Sequence, residues 1–284
     1  MEYSETKLLK FSRVSYDIAK KAVRPYSSKF SKKTYTQQQH IAILCIKTRK
    51  NQKFEQIEEM LKEMPRICEV LGLGHVPDCT TLCRNFSKLK RKVLIVLLYL
   101  IACILPRSGK CGIDASSLDK RHSSKHYVKR CKIVLKCMKV TLLIDTEQLT
   151  ILAIHITVTR KHDSKIILPL VSKAEEDFVI SILAGDKGYD DKAVREELRR
   201  LGIRPLIPHR EFKGIDKAHN ARIKKKDYHR RSMNETVNSM IKRNYTDELM
   251  ARLWKNQYKE VLFLAIVHNL DRVVSRIVQE GGSQ

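Results

Sequence analysis

Five short apolar segments between positions 111 and 207 limit what this chain can fold into. Residues 111–115, 140–144, 151–158, 180–186 and 203–207 have the length and β-branched content of strands. An apolar helical pattern over 166–171 separates the third from the fourth, and a charged amphipathic one over 191–201 separates the fourth from the fifth. The order strand, strand, strand, helix, strand, helix, strand predicts an α/β domain on a sheet of mixed direction. Asp145-Thr146-Glu147-Gln148 supplies the turn between the second and third strands, with Asp145 as an ordinary hairpin-turn residue.

Two of these strands end on an acid, Asp114 and Asp186, and open α/β sheets gather ligands at the carboxyl ends of their strands. A third acid, Glu235, lies in 228–242, which reads as one helix. Along it Tyr228, Arg231, Glu235 and Lys242 recur at steps of three, four and seven residues and so share a side. Carboxylates with ordinary pKa values of about 3.9 and 4.3 are ionised at neutral pH. Three that converge need a counter-charge, and hard oxygen donors suit a pair of Mg²⁺ ions. Two such ions activate a hydroxyl and stabilise the leaving oxygen of a phosphodiester. Each acid also has a plainer reading. Glu235 pairs with Arg231 on a solvated amphipathic helix, Asp114 caps a polar turn at Ser116-Ser117, and Asp186 sits in a turn before Gly188. Asp163, beside His162, reads as the N-cap of the helix that follows it, and no role is drawn for His155.

Charge points the same way as the acids. Lys and Arg number 56 against 31 Asp and Glu, a formal +25 spread along the chain, and such a field concentrates DNA or RNA. The longest apolar run, 93–105, has 13 residues; it is short for a bilayer and reads as a buried helix. With no secretory pattern at the start, a soluble intracellular protein is expected and a membrane partner is not. The eight cysteines include no Cys-x-x-Cys pair, so reduced thiols are expected in place of zinc.

Residues 1–105 read as a small all-helical domain. Positions 1–34 suit an arm that orders on a partner, and helices begin near Thr36 and Phe54. A short apolar turn covers 67–71. A helix over 79–89, capped by Asp78, shows Arg84 and Lys88 outward. This series resembles a helix-turn-helix arrangement for the major groove, though a structural or dimerising domain has the same pattern. Residues 106–110 form a linker to the second domain, 106–284, whose last helix, 249–278, is expected to pack on the sheet.

Gly112-Ile113-Asp114-Ala115-Ser116, Ala184-Gly185-Asp186-Lys187-Gly188-Tyr189-Asp190 and the stretch around Glu235 together resemble the DDE transposases of bacterial and archaeal insertion sequences. The likeness is to the branch whose third acid lies in a Tyr-x-x-Arg-x-x-x-Glu-x-x-x-x-x-x-Lys signature, met here by Tyr228, Arg231, Glu235 and Lys242. It runs from about Thr36 to Arg272 and includes His219-Asn220-Ala221-Arg222. The resemblance implies a ribonuclease H-like fold, a mixed sheet flanked by helices. Asp114, Asp186 and Glu235 would be its catalytic residues and the ligands of two Mg²⁺ or Mn²⁺ ions. It implies cleavage at element ends by metal-assisted attack of water, then attack of the freed 3′-hydroxyl on target DNA. Tyr228, Arg231 and Lys242 would hold DNA phosphates. Only 17 residues lie between Arg210 and Tyr228, too few for the large β insertion of some relatives. The basic run there, Arg222, Lys224, Lys225 and Lys226, is a DNA-contact candidate. Expected partners are double-stranded DNA, of element ends and target, and a second copy of the chain on that DNA; the expected location is the cytoplasm, on the nucleoid. A nuclease that cuts without joining, or a non-catalytic repressor derived from a transposase, is the rival expectation.

Overall fold

The computed structural model describes residues 5–120, 137–158, 162–223 and 225–281, in two compact units. One unit takes residues 1–104, 244–246 and 251–284; the other takes 105–243 and 247–250.

The first unit opens with α1 (Lys7–Ala22), α2 (Gln37–Arg49), α3 (Phe54–Lys62), α4 (Pro65–Val70), α5 (Cys79–Lys88) and α6 (Arg91–Ile104). Helix α1 takes the place of the expected arm. Thr6 Oγ1 accepts from Leu9 N at 3.2 Å, and Leu9, Phe11, Ile18 and Ala19 recur at helical spacing to give a side that is buried in the unit. The apolar turn expected over 67–71 is largely helical as well, because Pro65 stands at the start of α4, where a missing N–H costs nothing. Helix α5 is tied at both ends: Asp78 Oδ1 accepts from Thr81 N at 2.8 Å, and Lys259 Nζ donates to the carbonyls of Phe86 and Ser87 at 2.8 and 2.7 Å. Its open side carries Thr80, Cys83, Arg84, Ser87 and Lys88 with no acid among them.

The second unit holds β1 (Lys110–Lys120), β2 (Met138–Asp145), β3 (Thr150–Thr157), α7 (Ser164–Glu175), β4 (Ile182–Ala184), a 3₁₀ turn (Lys187–Tyr189), α8 (Lys192–Arg200) and β5 (Arg204–Leu206). It continues with α9 (Gly214–Ala221), α10 (Lys225–His229), α11 (Ser232–Asn244) and β6 (Glu248–Leu249). The strands lie in the order β3-β2-β1-β4-β5, antiparallel from β1 to β3 and parallel from β1 to β5, with β6 beside the outer end of β1. A mixed sheet with flanking helices, preceded by a helical region, is the fold class that the sequence pattern predicts.

Asp145 does more than turn the hairpin. Fully buried, its carboxylate accepts from the backbone N–H groups of Ser108, Glu147 and Gln148 at 2.6, 2.9 and 3.0 Å and from the Ser108 hydroxyl, so it pins the start of β1 to the β2–β3 turn. Asp145→Ala strands those donors and is expected to cost about 3 kcal/mol in denaturant unfolding. Asp163 departs from its expected N-cap role. Its own backbone is helical, its side chain makes no cap bond, and it forms an ion pair with Lys139 of β2.

The last helix, α12 (Trp254–Gly281), belongs to the first unit and not to the sheet. From Val261 to Leu270 every residue is buried, so no single flat face could cover it; α1, α2 and α6 surround it within the helical unit.

Candidate active site

Register brings the first two acids together. Gly112 of β1 is the parallel partner of Ala184, the last residue of β4; Asp114 stands two residues on within β1, and Asp186 two residues beyond the end of β4. Neighbouring strands lie about 4.8 Å apart, so continuing that register sets the two acids side by side. They also share a face. Alternation places Asp114 on the side of Gly112, and Gly112 faces α11: a Cβ added there would overlap Asn234 Oδ1 and stand 3.0 Å from Thr146 Cγ2. Asp186 is itself held in place. Its Oδ1 accepts from Gly188 N at 2.8 Å as the cap of the 3₁₀ turn, so the plainer turn reading and a place in the site are both met by one residue. A side chain at position 188 would press on that oxygen at 2.9 Å.

Glu235 comes from α11, one residue after Asn234, and its Oε1 lies 3.2 Å from Arg231 Nη2. The single helix expected over 228–242 is broken here. Arg231 N, Met233 N and Asn234 N bond three residues back, to Tyr228, Arg230 and Arg231, and Ser232 Oγ caps the His229 carbonyl at 2.8 Å. Tyr228 therefore stands on α10, Arg231 in the turn, and Glu235 with Lys242 on α11, seven residues apart and close to the same side. The buried row of α11 is Asn234, Val237 and Ile241.

The electrostatics link all three acids. Burial pushes the Asp114 carboxyl above its ordinary range; the Ala115 N–H and Arg231 oppose the shift, while the Asp186 and Glu235 carboxylates add to it. No described group of three acid, His or Cys side chains is closed into a ready metal cage. The chemistry of the donors is of the kind a hard divalent cation takes: Asp114 is a half-buried carboxylate in the field of two others, with Arg231 as the cation that acts on it.

The expected DNA contacts spread over both units. Arg222, just after α9, and Lys225 and Lys226, at the start of α10, are exposed, and Lys224 lies outside the described residues. Two short helices, α9 and α10, fill the segment before the last acid. Arg84 and Lys88 project from α5 in the helical unit. The residues not foreseen as part of the site are Gly112, Asn234 and Tyr189. Tyr189 is buried against the position of Gly185, and burial first, then the Asp163, Asp114 and Asp186 carboxylates, raises its phenol. The Gly112-x-Asp114 spacing was the available signal for the first of them, because a glycine two residues before a strand-end acid marks a close approach on the acid's own face.

β1 does not end on its acid as the sequence pattern suggested: it runs on to Lys120, so Asp114 lies mid-strand and Ser116 and Ser117 pair with β2 and form no turn. A mixed sheet in this order, flanked by helices, is a ribonuclease H-like fold. The sequence matches the Transposase DDE domain family over residues 110–270, and the chain belongs to that family. Its members generally use divalent metal ions. The fold is similar to that in a cryo-EM structure of the piggyBac transposase synaptic complex with hairpin DNA. The TM-score is 0.54 at 11% identity, covering 98% of this chain and 76% of that one. The Mos1 transposase paired-end complex with left transposon end aligns over 81% of this chain and 79% of its own, at 11% identity and a TM-score of 0.32. No curated protein matches the sequence. No described helix is long and apolar enough to cross a membrane.

Proposed function

We propose that this chain is an insertion-sequence transposase of the Tyr-Arg-Glu-Lys branch, which hydrolyses DNA at the ends of its element and joins the freed 3′-hydroxyl to target DNA. The observation that supports the reading is that Asp114 on β1 and Asp186 just past β4 each follow a paired residue, Gly112 and Ala184, by two, and that the carboxylates of Asp186 and Glu235 both act on Asp114. These three side chains would hold Mg²⁺ or Mn²⁺, as a pair of ions. Bound there, the ions supply a nucleophilic water or hydroxyl at neutral pH and offset charge on the leaving oxygen. The rest falls to the chain's own cations. Arg231 gives a phosphate oxygen pair a bidentate fork, Lys242 a point charge and Tyr228 a hydroxyl donor. Arg222, Lys225 and Lys226 extend the basic surface along the duplex. The molecule works as a homodimer on DNA, in the cytoplasm and on the nucleoid.

The test is incubation with Mg²⁺ and DNA carrying the native element's ends, followed by separation of cut and joined products. Both products support the proposal. Cut product alone favours a nuclease without strand transfer, and binding with neither product favours a repressor derived from a transposase. The open side of α5 is proposed to dock on the element ends. Arg84→Ala with Lys88→Ala is then expected to weaken end binding and to lower the slope of log affinity against log salt by about two, roughly one for each phosphate no longer neutralised. An unchanged slope places end recognition elsewhere.

A further inference from the structure

Asn234 is fully buried at the interface of α11 with the sheet, one residue before Glu235. Its Nδ2 donates, at a long 3.4 Å, to the carbonyl of Leu142, and Leu142 is the residue of β2 directly opposite Asp114. Among the described residues its Oδ1 has no hydrogen-bond donor. That oxygen lies over Gly112, where a Cβ would overlap it, so it meets the bare Cα of the residue two before Asp114. Such a Cα–H···O approach is a weak contact in itself. What it provides is position: one amide touches β1 and β2 on either side of Asp114, from the helix that carries Glu235.

We propose that Asn234 is a positioning residue, whose amide seats α11 on Gly112 and Leu142 and so sets the height of Glu235 over Asp114 and Asp186. A Cβ at position 112 would overlap that amide oxygen, and only glycine leaves it room. The role rests on the reading that Glu235 is the third metal-binding acid. A side chain that only filled space would be replaceable by an apolar one of similar volume. An amide that sets a ligand's place would not, and losses of 10–100-fold in metal affinity are usual when an outer partner of a ligand is removed.

Four variants of the full chain test this: Gly112→Ala, Asn234→Leu, Gly112→Ala combined with Asn234→Ala, and Glu235→Gln. The readouts are Mn²⁺ affinity of the DNA-free protein by paramagnetic resonance and the thermal midpoint. Gly112→Ala is expected to lower both, with Mn²⁺ affinity falling about tenfold or more. Asn234→Leu should keep the midpoint within a few degrees and still lose about tenfold in affinity. Adding Asn234→Ala to Gly112→Ala removes the overlap and should recover much of the fall in midpoint, a non-additivity expected only of residues that touch. A double variant no better than Gly112→Ala alone, or one that fails to fold, overturns the interlock. Wild-type affinity in Asn234→Leu overturns the positioning role. Wild-type affinity in Glu235→Gln overturns the underlying site reading instead, and the double-variant rescue then reports the packing separately.

Discussion

Asp114→Asn, Asp186→Asn and Glu235→Gln are each expected to reduce Mg²⁺-dependent strand cleavage by about 10³-fold or more, equivalent to about 4 kcal/mol of transition-state stabilisation. Binding of the same DNA should hold or tighten. Each change is nearly isosteric and removes one negative charge from a site that must admit a phosphodiester, so repulsion of the substrate falls while the cation loses a ligand. Asp114→Asn has a second effect. A carboxyl whose folded-state pKa lies above its unfolded value binds more protons folded than unfolded. Folding is therefore favoured at pH below the unfolded value, and that contribution is lost as pH rises through the folded one. Burial and the two neighbouring acids raise Asp114 in this way, so its charge opposes folding at neutral pH. The asparagine variant should melt higher than the wild type in metal-free buffer while it is inactive in Mg²⁺. Retained Mg²⁺-dependent cutting in any of the three variants would remove that residue from the site.

Asp114 and Asp186 could be read from the sequence because each closes a short apolar run; Asp186 does follow the end of its strand, whereas β1 continues through Ser116 and Ser117 because it pairs with β2 as far as Leu118. Their nearness could not, since it depends on β1 pairing along its other edge with β4, more than 60 residues later. Glu235 was legible from its spacing to Arg231 and Lys242, yet the helix drawn through Tyr228 was not right. Steps of three and four suit a helix or a three-residue turn that leads into one, and the Ser232 hydroxyl on the His229 carbonyl selects the turn. Asp163 followed the statistics of N-caps until a cation from another strand, Lys139, competed for it. Asn234 carried no local signal at all. It reads as one more polar residue on a polar stretch, and only the bare surface at Gly112 gives it a reason to be buried.

A fragment starting at residue 106 is expected to be insoluble, whereas 105–250 should be soluble and melt cooperatively. The difference is α12. Its ten residues from Val261 to Leu270 are each no more than 3% exposed, and within the helical unit they are packed among α1, α2 and α6. Val261, Leu262, Phe263, Leu264, Ile266, Val267 and Leu270 at about 1.5–3 kcal/mol each amount to roughly 10–20 kcal/mol of burial, as much as the whole stability of an ordinary domain. Residues 106–284 keep that helix and lose the three that cover it, so the apolar surface has no intramolecular partner and association is its outlet. Residues 105–250 end before it and keep the whole sheet, with β6 paired to β1 and Asp145 pinned to Ser108. Size-exclusion chromatography and thermal melts of the two fragments decide the matter: a monomeric, cooperatively melting 106–284 would show that α12 does not need the amino-terminal helices. For the same reason, deleting residues 1–105 is a poor probe of end recognition, because it exposes α12 while it removes α5. Point changes at Arg84 and Lys88 leave the helical unit covered and report on DNA alone.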